Sequence, residues 1–220
     1  MDRQLTLRIL RTARREPAHN YWQDFEITVP ESAYVLDGLE AAWRQDSSLL
    51  FRHSCHHASC GSCGMRIQVR ERLSCITPVF DVARDGIIRL EPLRNFPIVA
   101  DLVVDTGVLS QKLERVHAPI IKEVDADQHF ANCIECGLCI SACPVAATSS
   151  AYLGPAVLAA AQSGMALEEV RSQVEGPNGV WRCHSAFECT AVCPAGVEPA
   201  TAIMNLRKEL LMSVFKKKGN

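Results

Sequence analysis

Eleven cysteines are the residues of this chain whose type and spacing could carry chemistry. They fall into three groups: Cys55, Cys60, Cys63 and Cys75; then Cys133, Cys136, Cys139 and Cys143; then Cys183, Cys189 and Cys193. An odd number argues against a closed set of disulfides, and the first ten residues have charges spread through them where an export signal needs an apolar run. Thiols at this density in a reducing compartment point to metal.

The first group reads Cys55-His-His-Ala-Ser-Cys60-Gly-Ser-Cys63, with Cys75 at a distance. A C-x4-C-x2-C run with a remote fourth cysteine is the plant-type ferredoxin spacing for a 2Fe–2S cluster. Zinc sites favour C-x2-C pairs, and the four-residue gap does not suit them. Gly61 and Gly64 fit a loop that must wrap a cluster and aim backbone N–H groups at its sulfurs. A Rieske centre would need two histidines in place of two cysteines. All four cysteines are present, so His53, His56 and His57 are expected as loop residues or hydrogen-bond donors to sulfur.

The second group, Cys133-Ile-Glu-Cys136-Gly-Leu-Cys139-Ile-Ser-Ala-Cys143-Pro144, is C-x2-C-x2-C-x3-C-P without deviation, the bacterial ferredoxin run. The third, Cys183-His-Ser-Ala186-Phe-Glu-Cys189-Thr-Ala-Val-Cys193-Pro194, follows the same template with alanine at the second ligand position. In two-cluster ferredoxins the fourth cysteine of a run ligates the other cluster. By that rule Cys193 completes a 4Fe–4S site with Cys133, Cys136 and Cys139, while Cys143 joins Cys183 and Cys189. Three thiolates with the Ala186 methyl group at the fourth place predict a 3Fe–4S cluster with one empty corner. Four, four and three ligands use every cysteine.

These loops need elements to hold them. Leu5, Leu7 and Ile9, then Phe25, Ile27 and Val29, alternate with polar residues as half-buried strands do. Val35, Leu36, Leu39, Ala42 and Trp43 share one helical face. Met65, Ile67 and Val69 alternate again, and Ile88 with Leu90 suggests a closing strand. A helix is expected near 101–115, two short ones near 155–162 and 167–174 separated by Ser163 and Gly164, and a last one starting at Pro199. Ile203, Leu206, Leu210 and Val214 give that last helix an apolar stripe, and Trp181 is expected in the core beside Cys183. The expected organisation is a 2Fe–2S ferredoxin-type domain over 1–95, a connector over 96–128 and a helical dicluster domain over 129–220.

Composition sets bounds on function. Hydrophobic residues make up 48% of the 220 residues, enough for a core, and aromatic residues only 6%, so that core is aliphatic. A formal net charge of −2 gives no footprint for nucleic acid. Arg3, Arg8, Arg11, Arg14 and Arg15 near the start, and Lys216, Lys217 and Lys218 near the end, read as solvated surface or as contacts to an anionic membrane face or partner. The longest apolar stretch, residues 155–161, falls far short of the roughly 20 residues that cross a bilayer.

The Cys55–Cys75 loop, the run from 133 to 144, Gly154-Pro155 and the stretch from Arg182 through Pro194 resemble the iron–sulfur subunit of succinate dehydrogenase and fumarate reductase, the complex II family. The resemblance implies an α+β chain, an N-terminal β-grasp 2Fe–2S ferredoxin domain followed by an all-α dicluster domain. It implies an electron-transfer subunit without substrate-converting residues, placed between the FAD of a flavoprotein subunit and quinone at a cytochrome b-type membrane anchor, on the cytoplasmic face of the membrane. His184 matches a histidine on the quinone side of the terminal cluster, or serves only as a donor to cluster sulfur. Many members carry tryptophan three or four residues after the C-P cysteine, where this chain has Ala146 and Ala147. A paralogous flavoprotein complex acting on another substrate, or a free-standing multi-cluster carrier, fits the same cysteines.

Overall fold

Alternation of apolar and polar side chains predicts the first two strands, and the computed structural model, which describes residues 2–13, 16–116, 132–164 and 167–217, pairs them. Strand β1 (Asp2–Ala13) runs antiparallel to β2 (Glu16–Pro30), with Leu7 opposite Phe25 and Leu5 opposite Ile27. All four are buried, as are Ile9 and Val29. Helix α1 (Val35–Gln45) starts where the Asp37 carboxylate accepts the Tyr34 N–H at 2.7 Å, and it buries Val35, Leu36, Leu39 and Ala42. Each of the valine and leucine side chains so buried contributes about 1.5–3 kcal/mol. Trp43, expected on that face, is 47% exposed instead.

Strand β3 (Gly64–Ile67) ends two residues earlier than its alternation predicts. Gln68 adopts a φ of 59°, the chain reverses, and Val69 is left 74% exposed at the turn. Strand β4 (Arg70–Leu73), which the sequence reading did not anticipate, returns along β3 and leads into a 3₁₀ turn over Ser74–Ile76. After the short helix α2 (Val79–Val82) comes β5 (Ile87–Glu91). The sheet order is β2-β1-β5-β3-β4, with β5 parallel to β1 and antiparallel to β3. Strand β5 is therefore the middle strand and not a closing one, and for that reason both Ile88 and Leu90 are wholly buried. A five-stranded mixed sheet with α1 across one face is the β-grasp arrangement.

A hairpin of β6 (Ile98–Ala100) and β7 (Val103–Val104) follows. Asp101 at its tip is buried, accepts the N–H groups of Thr12 and Leu50 at 3.0 and 2.9 Å, and pairs with Arg11 at 3.0 Å. Arg8 pairs with Asp24 and Arg3 with Glu31. These three basic residues are thus committed to carboxylates of their own unit, while Arg14, Arg15 and the side chains of the C-terminal lysines lie outside the described residues.

The chain divides into two units, Met1–Asp105 and Thr106–Asn220. Among the described residues the second unit is helical: α3 (Gly107–Arg115), α4 (Leu138–Ser141), α5 (Pro144–Thr148), α6 (Pro155–Gly164), α7 (Leu167–Val174), α8 (Glu188–Ala191) and α9 (Pro199–Lys217). The expected helix over 101–115 forms only from Gly107, since β7 and the Asp101 turn take up its start. Helix α6 also runs through Ser163 and Gly164, which were expected to end it. It packs against α9, and its alanines are buried along with Val157 and Leu158. Ile203, Leu206 and Leu210 face inward on α9, and the Val214 side chain lies outside the described residues. No described helix is long and apolar enough to cross a membrane. Of the expected connector over 96–128, residues 117–128 lie outside the described residues.

Candidate metal centres

In the first unit the pairing of Gly64 with Leu73 sets Cys63, just before β3, beside Cys75 in the 3₁₀ turn, and their Sγ atoms stand 3.2 Å apart. Cys55 and Cys60 lie in the loop that precedes them. His56, Ala58 and Gly61 have φ of 63°, 62° and 69°, and this run of left-handed residues turns successive amides inward. The N–H groups of Ser59 and Cys60 each donate to Cys55 Sγ at 3.3 Å. Such donors favour a thiolate, and the backbone N–H of His57 followed by that of Cys60 brings the Cys55 thiol down to about 6. Burial and then its bond to Cys63 push Cys75 up to about 11. Of the two expected loop glycines only Gly61 takes a positive φ, since Gly64 opens β3. Arg52 is half-buried; burial lowers its pKa while the charge on Cys63 opposes that shift.

The second unit contains the same backbone device twice. Glu135 and Gly137 have φ of 52° and 78°, and Ser185 and Phe187, at the matching places of the third run, have 56° and 60°. Gly137 and Phe187 each precede a one-turn helix, α4 and α8, and those helices deliver Cys139 and Cys189. Helices α4 and α8 pack together, so the two cysteine runs lie face to face.

Two hollows result. One, about 400 Å³ of space free of protein atoms and partly open to solvent, is lined by Cys133, Cys136, Cys139 and Cys193. The other, about 350 Å³, is lined by Cys143, Cys183 and Cys189, with Ala186, Tyr152 and His184 beside them. The fourth cysteine of each run therefore stands in the hollow of the opposite run. Burial, reinforced by neighbouring thiols, pushes Cys136 up to about 12, Cys189 up to about 11 and Cys139 well above its ordinary value. Thiols placed so close together in an apolar hollow need cationic partners before they can all ionise.

Ferric or ferrous iron bridged by sulfide fits that donor set, which is entirely soft sulfur. A further observation supports the fit in the second hollow. The Tyr152 hydroxyl is buried, has no nitrogen or oxygen partner among the described residues, and lines the wall beside Cys143 and the Cys183 sulfur. Burial followed by the charge of Cys183 raises its pKa, so it remains a donor. A cluster sulfide or cysteine sulfur is the acceptor such a group needs.

His184 and Ala186 line this hollow and are exposed, while on α5 Ala147 is exposed and Ala146 half-buried. Trp181 is not core: it is 46% exposed, and the Arg207 guanidinium lies over its ring at 5.9 Å. Arg207, Tyr152 and Arg52 were not singled out in the sequence. Arg207 had a signal there, because a cation at the position after Leu206 interrupts the apolar stripe of α9.

A family model described as a 2Fe-2S iron-sulfur cluster binding domain matches residues 6–111, and one described as a 4Fe-4S dicluster domain matches residues 129–197. The chain is 35% identical over 219 residues to the fumarate reductase iron-sulfur subunit of Mycobacterium tuberculosis, covering 89% of this chain and 88% of the relative. It is 30% identical over 230 residues to the succinate dehydrogenase iron-sulfur subunit of Coxiella burnetii, covering 94% and 97%. A chain of the solved Mycobacterium smegmatis Sdh1 complex in the apo form superposes with a TM-score of 0.81 at 22% identity, covering 98% of each chain, so the fold is shared.

Proposed function

The chain belongs to the family of iron–sulfur subunits of fumarate reductase and succinate dehydrogenase, and from that premise we propose the ligand sets and partners through which it works. It is an electron-transfer subunit of an oxidoreductase complex, with 2Fe–2S, 4Fe–4S and 3Fe–4S cofactors. Cys55, Cys60, Cys63 and Cys75 hold the 2Fe–2S cluster; Cys133, Cys136, Cys139 and Cys193 hold the 4Fe–4S cluster; Cys143, Cys183 and Cys189 hold the 3Fe–4S cluster. The observation that carries this division is the sorting of seven cysteines into one hollow of four and one of three, with Ala186 in the smaller set.

When bound, the clusters supply one-electron carriers. The protein supplies the rest. Its thiolates fix each site, its left-handed loop residues aim amides at sulfur, and its apolar walls keep water away from buried thiols. Backbone and tyrosine donors stabilise the more negative, reduced state, which raises the potential of the group they face.

The partners are a flavoprotein subunit, whose FAD exchanges electrons with the first unit, and a cytochrome b-type membrane anchor, where quinone meets the second. The complex sits on the cytoplasmic face of the membrane, and succinate or fumarate is converted in the flavoprotein. His184, exposed beside the three-cysteine hollow, faces the quinone side. The exposed Trp181 and Phe187 near the same hollow, 46% and 48% accessible, favour a fixed docking partner over a free-standing carrier. Purification of the chain through a cleavable tag from gently solubilised membranes tests this assignment. Copurification of a flavin-bearing subunit and an integral membrane subunit in constant ratio is expected; recovery of the chain alone with all clusters intact contradicts it.

A further inference from the structure

Three side chains of the first unit that play no part in holding a cluster converge on one point. Glu40 projects from α1 and is half-buried, while His53 and His56 flank Cys55 in the loop and are exposed. His53 Nδ1 stands 3.1 Å from His56 Nε2, and His56 Nε2 stands 3.9 Å from Glu40 Oε1. One ligand atom from each residue lies within 4.8 Å of the other two. The histidines stand at hydrogen-bond distance and Glu40 at the outer edge of ion-pair distance from the same nitrogen; why all three donors meet at one point is a separate question.

Donor spacing supplies the explanation. A tetrahedral zinc ion with Zn–N and Zn–O bonds of about 2.0–2.2 Å holds its ligand atoms about 3.3–3.6 Å from one another. The separations of 3.1 and 3.9 Å bracket that range and the third lies within 4.8 Å, so side-chain shifts of no more than about an ångström would seat an ion. The scaffold also holds the ligands in place. The His56 ring meets the edge of His53 with centroids 5.2 Å apart, and His53 stacks on Phe51 with ring centroids 5.3 Å apart. Glu40 sits in the middle of a regular helix. Two imidazoles and one carboxylate suit borderline divalent ions over Ca²⁺ or Mg²⁺, which prefer all-oxygen sites.

We propose that Glu40, His53 and His56 form a binding site for a divalent transition-metal ion, zinc in type, with the fourth position left to water. The site is separate from the cysteine ligands, although His56 directly follows Cys55 in the chain.

The test uses the tag-free native complex with its clusters loaded, dialysed to equilibrium against buffered Zn²⁺ and analysed for zinc and iron. One saturable zinc per chain is expected, with iron content and the 2Fe–2S paramagnetic signal unchanged. His53→Ala and His56→Ala should each weaken zinc binding at least tenfold without loss of iron, and Glu40→Gln should weaken it by a smaller factor. Absence of saturable zinc, zinc taken up only as iron is lost, or undiminished binding by both histidine variants would overturn the proposal. None of these results bears on the three-cluster assignment, which is read from the iron.

Discussion

Arg207, on the long C-terminal helix, donates to the carbonyl oxygen of Cys183 and, through Nη2 and Nε, to that of Val180 at 2.9 and 3.2 Å. Its Nη1 reaches Ser185 Oγ at 3.3 Å. One side chain thus clamps both sides of the loop that presents Cys183.

Arg207→Ala is expected to loosen that loop. A hydrogen bond from a charged donor is worth about 1.5–3 kcal/mol, and each carbonyl it serves would lose that donor. The variant should lose its 3Fe–4S signal faster on warming or in mild denaturant and keep its 2Fe–2S signal. Arg207→Lys retains the charge without the planar fork and should rescue only in part. Equal decay of both signals would show that the clamp is not local.

Tyr152→Phe removes a buried hydroxyl that lines the three-cysteine hollow beside the Cys183 sulfur. If it donates to a cluster or cysteine sulfur, its loss withdraws stabilisation from the reduced state. The midpoint potential of the 3Fe–4S signal should fall, while that of the 4Fe–4S cluster moves less. Redox titration followed by electron paramagnetic resonance reads both, and an unchanged 3Fe–4S potential would remove Tyr152 from this role.

Ala186 occupies a backbone already shaped for a ligand, since the φ angles of its two neighbours match those on either side of Cys136 within about 20°. Ala186→Cys should therefore admit a fourth iron and replace the oxidised 3Fe–4S signal with that of a reducible cubane. Adding Phe187→Gly relieves the side chain that stands in a left-handed conformation where the second run has glycine, and should raise the converted fraction. Persistence of the 3Fe–4S signal in both variants would count against the template.

The crossing of the fourth cysteines makes opposite demands on two substitutions. Cys193→Ser should damage the 4Fe–4S cluster and spare the 3Fe–4S cluster, and Cys143→Ser should do the reverse. Iron analysis combined with low-temperature spectra separates them. If each substitution damaged the cluster of its own run, the arrangement of the two hollows would have been misread.

Strands β1, β2 and β5 were legible because one face of each is buried and a two-residue period survives in Leu5-Leu7-Ile9, Phe25-Ile27-Val29 and Ile88-Leu90. Strand β4 was not, because Arg70-Glu71-Arg72-Leu73 carries no apolar alternation. It is held by pairing with β3 and by Glu71, buried between Arg66 and Arg94. Position within the sheet was equally hidden, since nothing local to Ile87–Glu91 says that β1 will lie beside it in parallel. Trp43 and Trp181 were misjudged for one reason: large aromatic rings suggest core, yet both stand half-exposed. The grouping of the cysteines into three runs was legible because spacing within a run is a local property. The meeting of Glu40 with His53 and His56 was not, since it depends on how α1 packs against the loop.

Electron paramagnetic resonance on the solubilised native complex, frozen before and after addition of succinate, shows whether three clusters in this chain exchange electrons with a succinate- or fumarate-converting flavoprotein. Succinate should diminish the oxidised 3Fe–4S signal and bring up that of the reduced 2Fe–2S cluster, both to be reversed by fumarate under reducing conditions. Clusters that respond to dithionite but to neither dicarboxylate would contradict such exchange, leaving a three-cluster electron carrier whose flavoprotein acts on another substrate.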